Sequence, residues 1–319
     1  MKRKLIIDAD PGIGDALALA LALVDPDLEL VAVTACPGCV SGEMALLNAQ
    51  AVVSLLDPPR WPRLGVTDGR SIELPRQEGG VEPVFLHGET GLGDVDVPPV
   101  ELHHRVDAAK LLVELVRDEP GQLTLLTLGP LTNVLLACER FPEFLMSLKE
   151  LVCCGGAMAV GGDVTAAAEF NIFANPAAAR GVLASPAAKT LVPLDVTQRV
   201  VLSFDQYDRL KIDPTTRLGR LVEQTIPFAL RAQRQYLGRE GVILHEAVAL
   251  AAVAAPRLFE RRPLPIDVEL HGELTRGMTI LDRRKHTPRA PNIDVLTEVD
   301  VQGVLDFVAE RLRPARAPA

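Results

Sequence analysis

The stretch from Ile6 to Leu19, IIDADPGIGDALAL, sets the strongest limit on how this chain folds. The apolar run Leu5 to Ile7 predicts a strand that carries Asp8 and Asp10 to its end. Pro11 and Gly12 then turn the chain, and Asp15 opens a helix rich in Ala and Leu. Acidic side chains therefore collect in a strand-to-helix crevice, the place where open α/β sheets bind ligands. Like charges held that close repel, so the cluster implies protonation or a cation. Oxygen-only donors point to Ca²⁺ or Mg²⁺ before zinc. On a purely structural reading Asp15 is a helix N-terminal acid and Asp10 a turn residue.

Composition narrows the setting of this motif. With 48% hydrophobic residues in 319, and no Ser/Gly/Pro-rich linker, the chain is expected to form one large α/β domain over residues 1–312 with a disordered tail at 313–319. No apolar run approaches the roughly 18 residues of a membrane span, and Met-Lys-Arg-Lys followed by a short strand and acids is not a signal peptide. A cytoplasmic protein is expected. A net charge of −9 makes nucleic-acid backbone a poor partner. Five cysteines without an export signal predict reduced thiols. Cys36 and Cys39 form a CPGC motif that could be a redox dithiol, but no second CxxC exists to complete a zinc site. Cys138, Cys153 and Cys154 read as core or pocket-wall residues.

Strand and helix patterns alternate along the chain. Leu28 to Ala35 and Pro62 to Thr67 read as strands and Glu43 to Leu56 as a helix, and Asp68 to His104 is a long loop of the kind usually kept for function. HGETGLG in that loop does not follow a strand as a phosphate loop must, and His87 reads as structural before catalytic. Val106 to Arg117 is an amphipathic helix, Leu123 to Leu128 a strand turned by GPLTN, and Glu150 to Cys154 the next strand. AEFNIFANP sets Glu169, Asn171 and Asn175 in a loop among apolar neighbours, as hydrogen-bonding groups in a pocket wall. Lys189 to Asp195 reads as a strand and Phe204 to Leu237 as mostly helix. His245 and Glu246 begin a very apolar helix, where burial is costly unless they are paired or ligated. Ile266 to His271, Met278 to Leu281 and Ile293 to Leu296 suggest a β-ribbon or edge strands, and Val301 to Arg311 a final helix.

Taken together, Asp10 and Asp15, GPLTN, GGA…AEFNIFANP, LHEAVA and ELTRGMTILDRR resemble, in order from Lys4 to about Leu312, the inosine-uridine preferring nucleoside hydrolase family. The resemblance implies a single α/β domain with a mostly parallel central sheet, assembled as a homodimer or homotetramer. It implies hydrolysis of the N-glycosidic bond of a ribonucleoside by a Ca²⁺-activated water. By position, Asp10, Asp15, Glu246 and the Leu128 carbonyl would ligate the metal, and Asp10 would accept the proton of that water. Glu169 and Asn171 match residues that hold ribose hydroxyls, and His245 matches a histidine proposed to protonate the departing base.

The departures line the same expected pocket. The family's DPGxDD places an aspartate for ribose hydroxyls where Gly14 stands; Cys39 and Asp163 stand for asparagines, Glu246 and Asn175 for aspartates. Glutamate can ligate Ca²⁺, but its extra methylene moves the carboxylate by about 1.5 Å. The alternative is a catalytically altered member that binds a nucleoside, ribose or a related ligand. A phosphatase of the haloacid dehalogenase type also begins with strand-DxD, but Pro11-Gly12 breaks its pattern.

Overall fold

The computed structural model describes residues 2–67, 81–93, 95, 106–284 and 289–313. Most of the long loop at 68–104 and tail residues 314–319 lie outside the described residues. In chain order the first half comprises β1 (Arg3–Ala9), α1 (Ile13–Val24), β2 (Leu28–Ala35), α2 (Gly42–Leu56), β3 (Arg63–Val66), α3 (Pro83–His87), β4 (Val106–Asp107), α4 (Ala108–Asp118), β5 (Thr124–Thr127), α5 (Thr132–Arg140) and β6 (Glu150–Cys154). Then come α6 (Phe170–Ala174), α7 (Pro176–Leu183), β7 (Lys189–Val192), α8 (Leu194–Thr197), β8 (Val201–Ser203), α9 (Phe204–Leu210), α10 (Arg217–Leu237), β9 (Gly241–Ile243) and α11 (His245–Ala254). The chain closes with β10 (Phe259–Leu264), β11 (Ile266–Val268), β12 (Thr279–Leu281), β13 (Ile293–Val299) and α12 (Val301–Leu312).

Among the described residues nine strands form the main sheet in the order β10-β13-β7-β6-β5-β1-β2-β3-β4, and every pairing is parallel except β10 with β13. The fold is therefore the expected single-domain α/β architecture. β1 lies inside the sheet between β2 and β5. Its side chains alternate: Leu5, Ile7 and Ala9 enter the core shared with α1, α10, α11 and α12, whereas Ile6 enters the core beneath α4, α5 and α7. Burial on both faces explains why the strand reads as an unbroken apolar run. The alanines of α1 allow it to pack against α2, α10, α11 and α12 with almost every residue buried.

Three sequence expectations change. Phe170–Ala174 is a helical turn rather than loop, because Glu169 caps it by accepting from the N–H groups of Asn171 and Ile172. The strand at Lys189 stops at Val192, where Pro193 hands over to α8. β13 is an interior strand. The edge beside it is β10, with Pro263, Arg261 and Arg262 along it, residues that discourage edge-to-edge pairing. Among the described residues no helix is long and apolar enough to cross a membrane.

Candidate active site

A cavity of about 230 Å³ opens beyond the carboxyl ends of β1, β2, β5, β6 and β7. Asp10, Gly14, Asp15, Cys39, Leu128, Asp163, Glu169, Asn171, His245 and Glu246 all line it. The sheet brings them together across 236 positions of sequence because each follows a strand end or starts the next helix. Asp8 departs from the expected crevice. Its side chain is fully buried, and Oδ1 accepts from Thr34 Oγ1 at 2.5 Å and Asn133 Nδ2 at 2.8 Å. The Asn133 side chain in turn accepts from Thr67 Oγ1 at 2.9 Å. Asp8 thus ties the ends of neighbouring strands to the GPLTN turn, and burial raises its carboxyl to about 7.

Asp10 is fixed by close backbone approach. Its Oδ2 accepts from Cys39 N–H at 2.6 Å, and the Cys39 thiol donates to its carbonyl at 2.7 Å. A Cβ at Gly38 would sit 1.9 Å from Oδ2, and one at Gly129 would sit 2.4 Å from Oδ1. The glycines of CPGC and GPLTN therefore clamp one carboxylate. The dithiol reading of CPGC fails on the same geometry: all five cysteines are free, Cys36 is buried, and burial with nearby carboxylates pushes both motif thiols well up.

Asp15 Oδ2 accepts from Gly12 N–H at 3.2 Å, while its buried Oδ1 has no partner. Glu246 leans across the first turn of α1. A Cβ at Gly14 would lie 2.1 Å from Glu246 Oε2 and 2.5 Å from its Cδ. The longer acid at 246 occupies the space that the missing side chain at 14 leaves open. Burial, and then the charge of Asp15, raises Asp10 well above the carboxylate range and Glu246 to about 8; burial raises Asp15 to about 6.

Glu169, buried, accepts from Gly156, Asn171 and Ile172 N–H groups at 2.9 to 3.1 Å, and burial followed by the charge of Asp163 lifts it to about 8. The Asn171 amide donates to the carbonyls of Leu128 at 2.6 Å and Cys154 at 3.1 Å. Exposed Asp163 accepts from Phe170 N–H at 2.9 Å. Asn175 does not reach the cavity; it caps α7 by accepting from Ala178 N–H. His245 Nδ1 pairs with Thr197 Oγ1 at 2.8 Å, and burial, with the Arg239 charge, lowers it to about 4.

Sequence reasoning missed Gln233 and Arg239 on the cavity wall, and it read lining residue His87 as structural before catalytic. His87 Nδ1 accepts from Ile13 N–H at 3.3 Å, which binds α3 to the first turn of α1, and burial lowers it to about 4. Its position in a long Gly-rich loop was the available signal. Gln233 and Arg239, at the end of α10, carried none.

Among the described residues no three Asp, Glu, His or Cys side chains are already closed around a cation-sized point. The donor set nonetheless suits a hard divalent cation. The charge of Asp15 raises both Asp10 and Glu246, the buried Asp15 Oδ1 is orphaned, and all candidate donors are oxygens. The Leu128 carbonyl keeps one lone pair beside its Asn171 bond.

The chain is 36% identical over 320 residues to uridine nucleosidase 1 of Arabidopsis thaliana, covering 97% of this chain and 93% of that one. It is 34% identical over 321 residues to the pyrimidine-specific ribonucleoside hydrolase RihA of Shewanella sp. (strain MR-7), covering 98% and 96%. Among solved structures, a plant nucleoside hydrolase superposes with a TM-score of 0.86 at 29% identity, covering 98% of this chain and 99% of that one. An inosine-guanosine nucleoside hydrolase superposes with a TM-score of 0.86 at 27% identity, with the same coverage. The family model described as inosine-uridine preferring nucleoside hydrolase matches residues 5–306, and the chain belongs to that enzyme family.

Proposed function

We propose that this protein hydrolyses the N-glycosidic bond of ribonucleosides to ribose and free base, with Ca²⁺ as its cofactor. The observation that carries this reading is the buried acid cluster of Asp10, Asp15 and Glu246, with its orphaned Asp15 oxygen, on the wall of a cavity that also presents Glu169, Asn171 and His245. Asp10, Asp15, Glu246 and the Leu128 carbonyl would hold the ion. When bound, Ca²⁺ supplies positive charge that acidifies water and attracts sugar oxygens.

Asp10 is the proton acceptor. The Gly38 and Gly129 clamp and the Cys39 N–H hold its carboxylate still for that proton. The acids also favour the positive charge that develops on the sugar as the bond to the base lengthens. Glu169, locked by three backbone donors, retains lone pairs for a ribose hydroxyl. Asn171 spends its amide hydrogens on two carbonyls, which leaves Oδ1 as its group for the sugar. His245 is neutral at pH 7, so it acts as a hydrogen-bonding group toward the base rather than as a standing acid. The pyrimidine-directed names of two relatives make uridine the first substrate to assay.

The test is base release from uridine, cytidine, inosine and adenosine by wild type, Asp10→Asn and Asp15→Asn, with Ca²⁺ titrated calorimetrically into chelator-treated protein. Ca²⁺-dependent release that Asp10→Asn reduces by at least about 100-fold is expected. Nucleoside binding without release in the wild type would overturn it in favour of a binding member of the family.

A further inference from the structure

Among the described residues the cavity is lined by five carboxylic side chains, Asp10, Asp15, Asp163, Glu169 and Glu246, and by one permanent cation, Arg239. No role above uses that arginine. Its placement is built by a helix stop: α10 ends at Gly238 with φ +63, and the N–H groups of Gly238 and Arg239 return to the carbonyls of Arg234 and Gln233. This Schellman turn folds the chain back over the last turn of the helix. Arg239 Nη1 there donates to Gln233 Oε1 at 3.2 Å, and Gln233 also lines the cavity. Among the described residues the other guanidinium N–H groups and the Gln233 amide hydrogens have no protein acceptor. Gln233 adds its two amide hydrogens to the donors of Arg239, its oxygen already accepting from the guanidinium.

A cationic corner rich in donors selects an acceptor that is anionic or becomes so. A 5′-phosphate is the obvious candidate and is disfavoured here, because a dianion would share the cavity with five carboxylic groups. A nucleobase carbonyl fits better, since it enters neutral and gains charge only as the glycosidic bond breaks. Binding that strengthens along the reaction coordinate is what accelerates it.

We propose that Arg239, held by Gln233, is the leaving-group residue of this enzyme and donates hydrogen bonds to a carbonyl of the departing base as negative charge develops on it. The inference rests on the hydrolase reading above. As the C1′–N bond breaks, its electron pair passes to the base nitrogen and out to the carbonyl oxygen beside the guanidinium. Water adds its hydroxyl to C1′, and its remaining proton passes to Asp10 and from there to solvent. A proton from solvent then neutralises the base anion.

The test compares uridine with p-nitrophenyl riboside, whose leaving group needs no help, in wild type, Arg239→Gln and Arg239→Lys. Arg239→Gln should lower kcat for uridine by about 100-fold with little change in KM. Turnover of the aryl riboside should fall less than about threefold, and Arg239→Lys should recover part of the uridine rate. Equal losses on both substrates would show a structural role and overturn the proposal, as would a variant that loses only affinity for uridine 5′-monophosphate. Turnover of neither substrate by the wild type would instead remove the hydrolase reading. In that event the binding of uracil as its anion, at alkaline pH, still reads the corner, since an affinity unchanged by Arg239→Gln rejects it.

Discussion

The contact between position 14 and Glu246 yields a quantitative prediction. A methyl group at Gly14 would sit 2.1 Å from Glu246 Oε2, 2.5 Å from Cδ and 2.9 Å from Oε1, all inside van der Waals contact. Gly14 has ordinary helical backbone in the first turn of α1, so alanine there gains about 1 kcal/mol of helix propensity. What must yield is the end of a flexible side chain, at about 0.5 to 1.5 kcal/mol for an unfavourable rotamer. The two terms nearly cancel, so Gly14→Ala should leave overall stability within about 1 kcal/mol of wild type. Its effect falls instead on the acid cluster, because the Glu246 carboxylate is displaced. We expect Ca²⁺ affinity to weaken by about tenfold, or about 1.4 kcal/mol. In a Glu246→Asp background the shorter side chain withdraws from Gly14, and the same substitution should leave Ca²⁺ affinity unchanged. Gly14→Asp, which by family pattern looks like a restoration, should weaken the wild type further and be tolerated only with Glu246→Asp. Calorimetric Ca²⁺ titration of the four proteins in the alanine cycle measures the coupling directly. A Gly14→Ala effect of the same size in both backgrounds, or none in the wild type, would refute the matched-pair argument.

Other outcomes follow from the same geometry. Gly38→Ala places a Cβ 1.9 Å from Asp10 Oδ2, so Ca²⁺ binding and base release should both fall by at least about 100-fold while the far-ultraviolet circular dichroism is kept; retained activity would show that the clamp on Asp10 is unnecessary. Asp15 and Glu246 are acids whose folded-state pKa values are raised, to about 6 and about 8, so the folded protein binds more protons than the unfolded chain above the ordinary values of 3.8 and 4.5. Stability of the chelated protein should therefore decline as pH rises from about 4 to 8, and the gain in Tm on adding Ca²⁺ should widen over that range; a gain independent of pH would argue that the ion binds elsewhere. Thr197→Val removes the hydroxyl that orients His245 at 2.8 Å and should cost about tenfold in kcat with unchanged fold, read from steady-state kinetics.

Much of this was legible in one dimension. β2 and β6 run between the residues expected, and the acid crevice after β1 follows from strand, turn and helix signals within fourteen residues. Local patterns have local causes: alternation places Leu5, Ile7 and Ile6 on opposite faces, and Pro11-Gly12 can only turn. Family motifs added the distant partners, and every residue carried over to the site except Asn175 lines one cavity. Other features were invisible because they depend on which distant strands become neighbours. No sequence rule says that Asp8 turns away to Thr34 and Asn133 while Asp10, two residues on, enters the cavity. Nor does any rule place β13 inside the sheet, or return Arg239 to the cavity over the end of α10. The substitutions at 14 and 246 read as two separate defects in the chain, 232 residues apart. Only the packing of α11 against α1 sets one in the space vacated by the other, because side-chain volume is conserved where two helices meet and not along the chain between them.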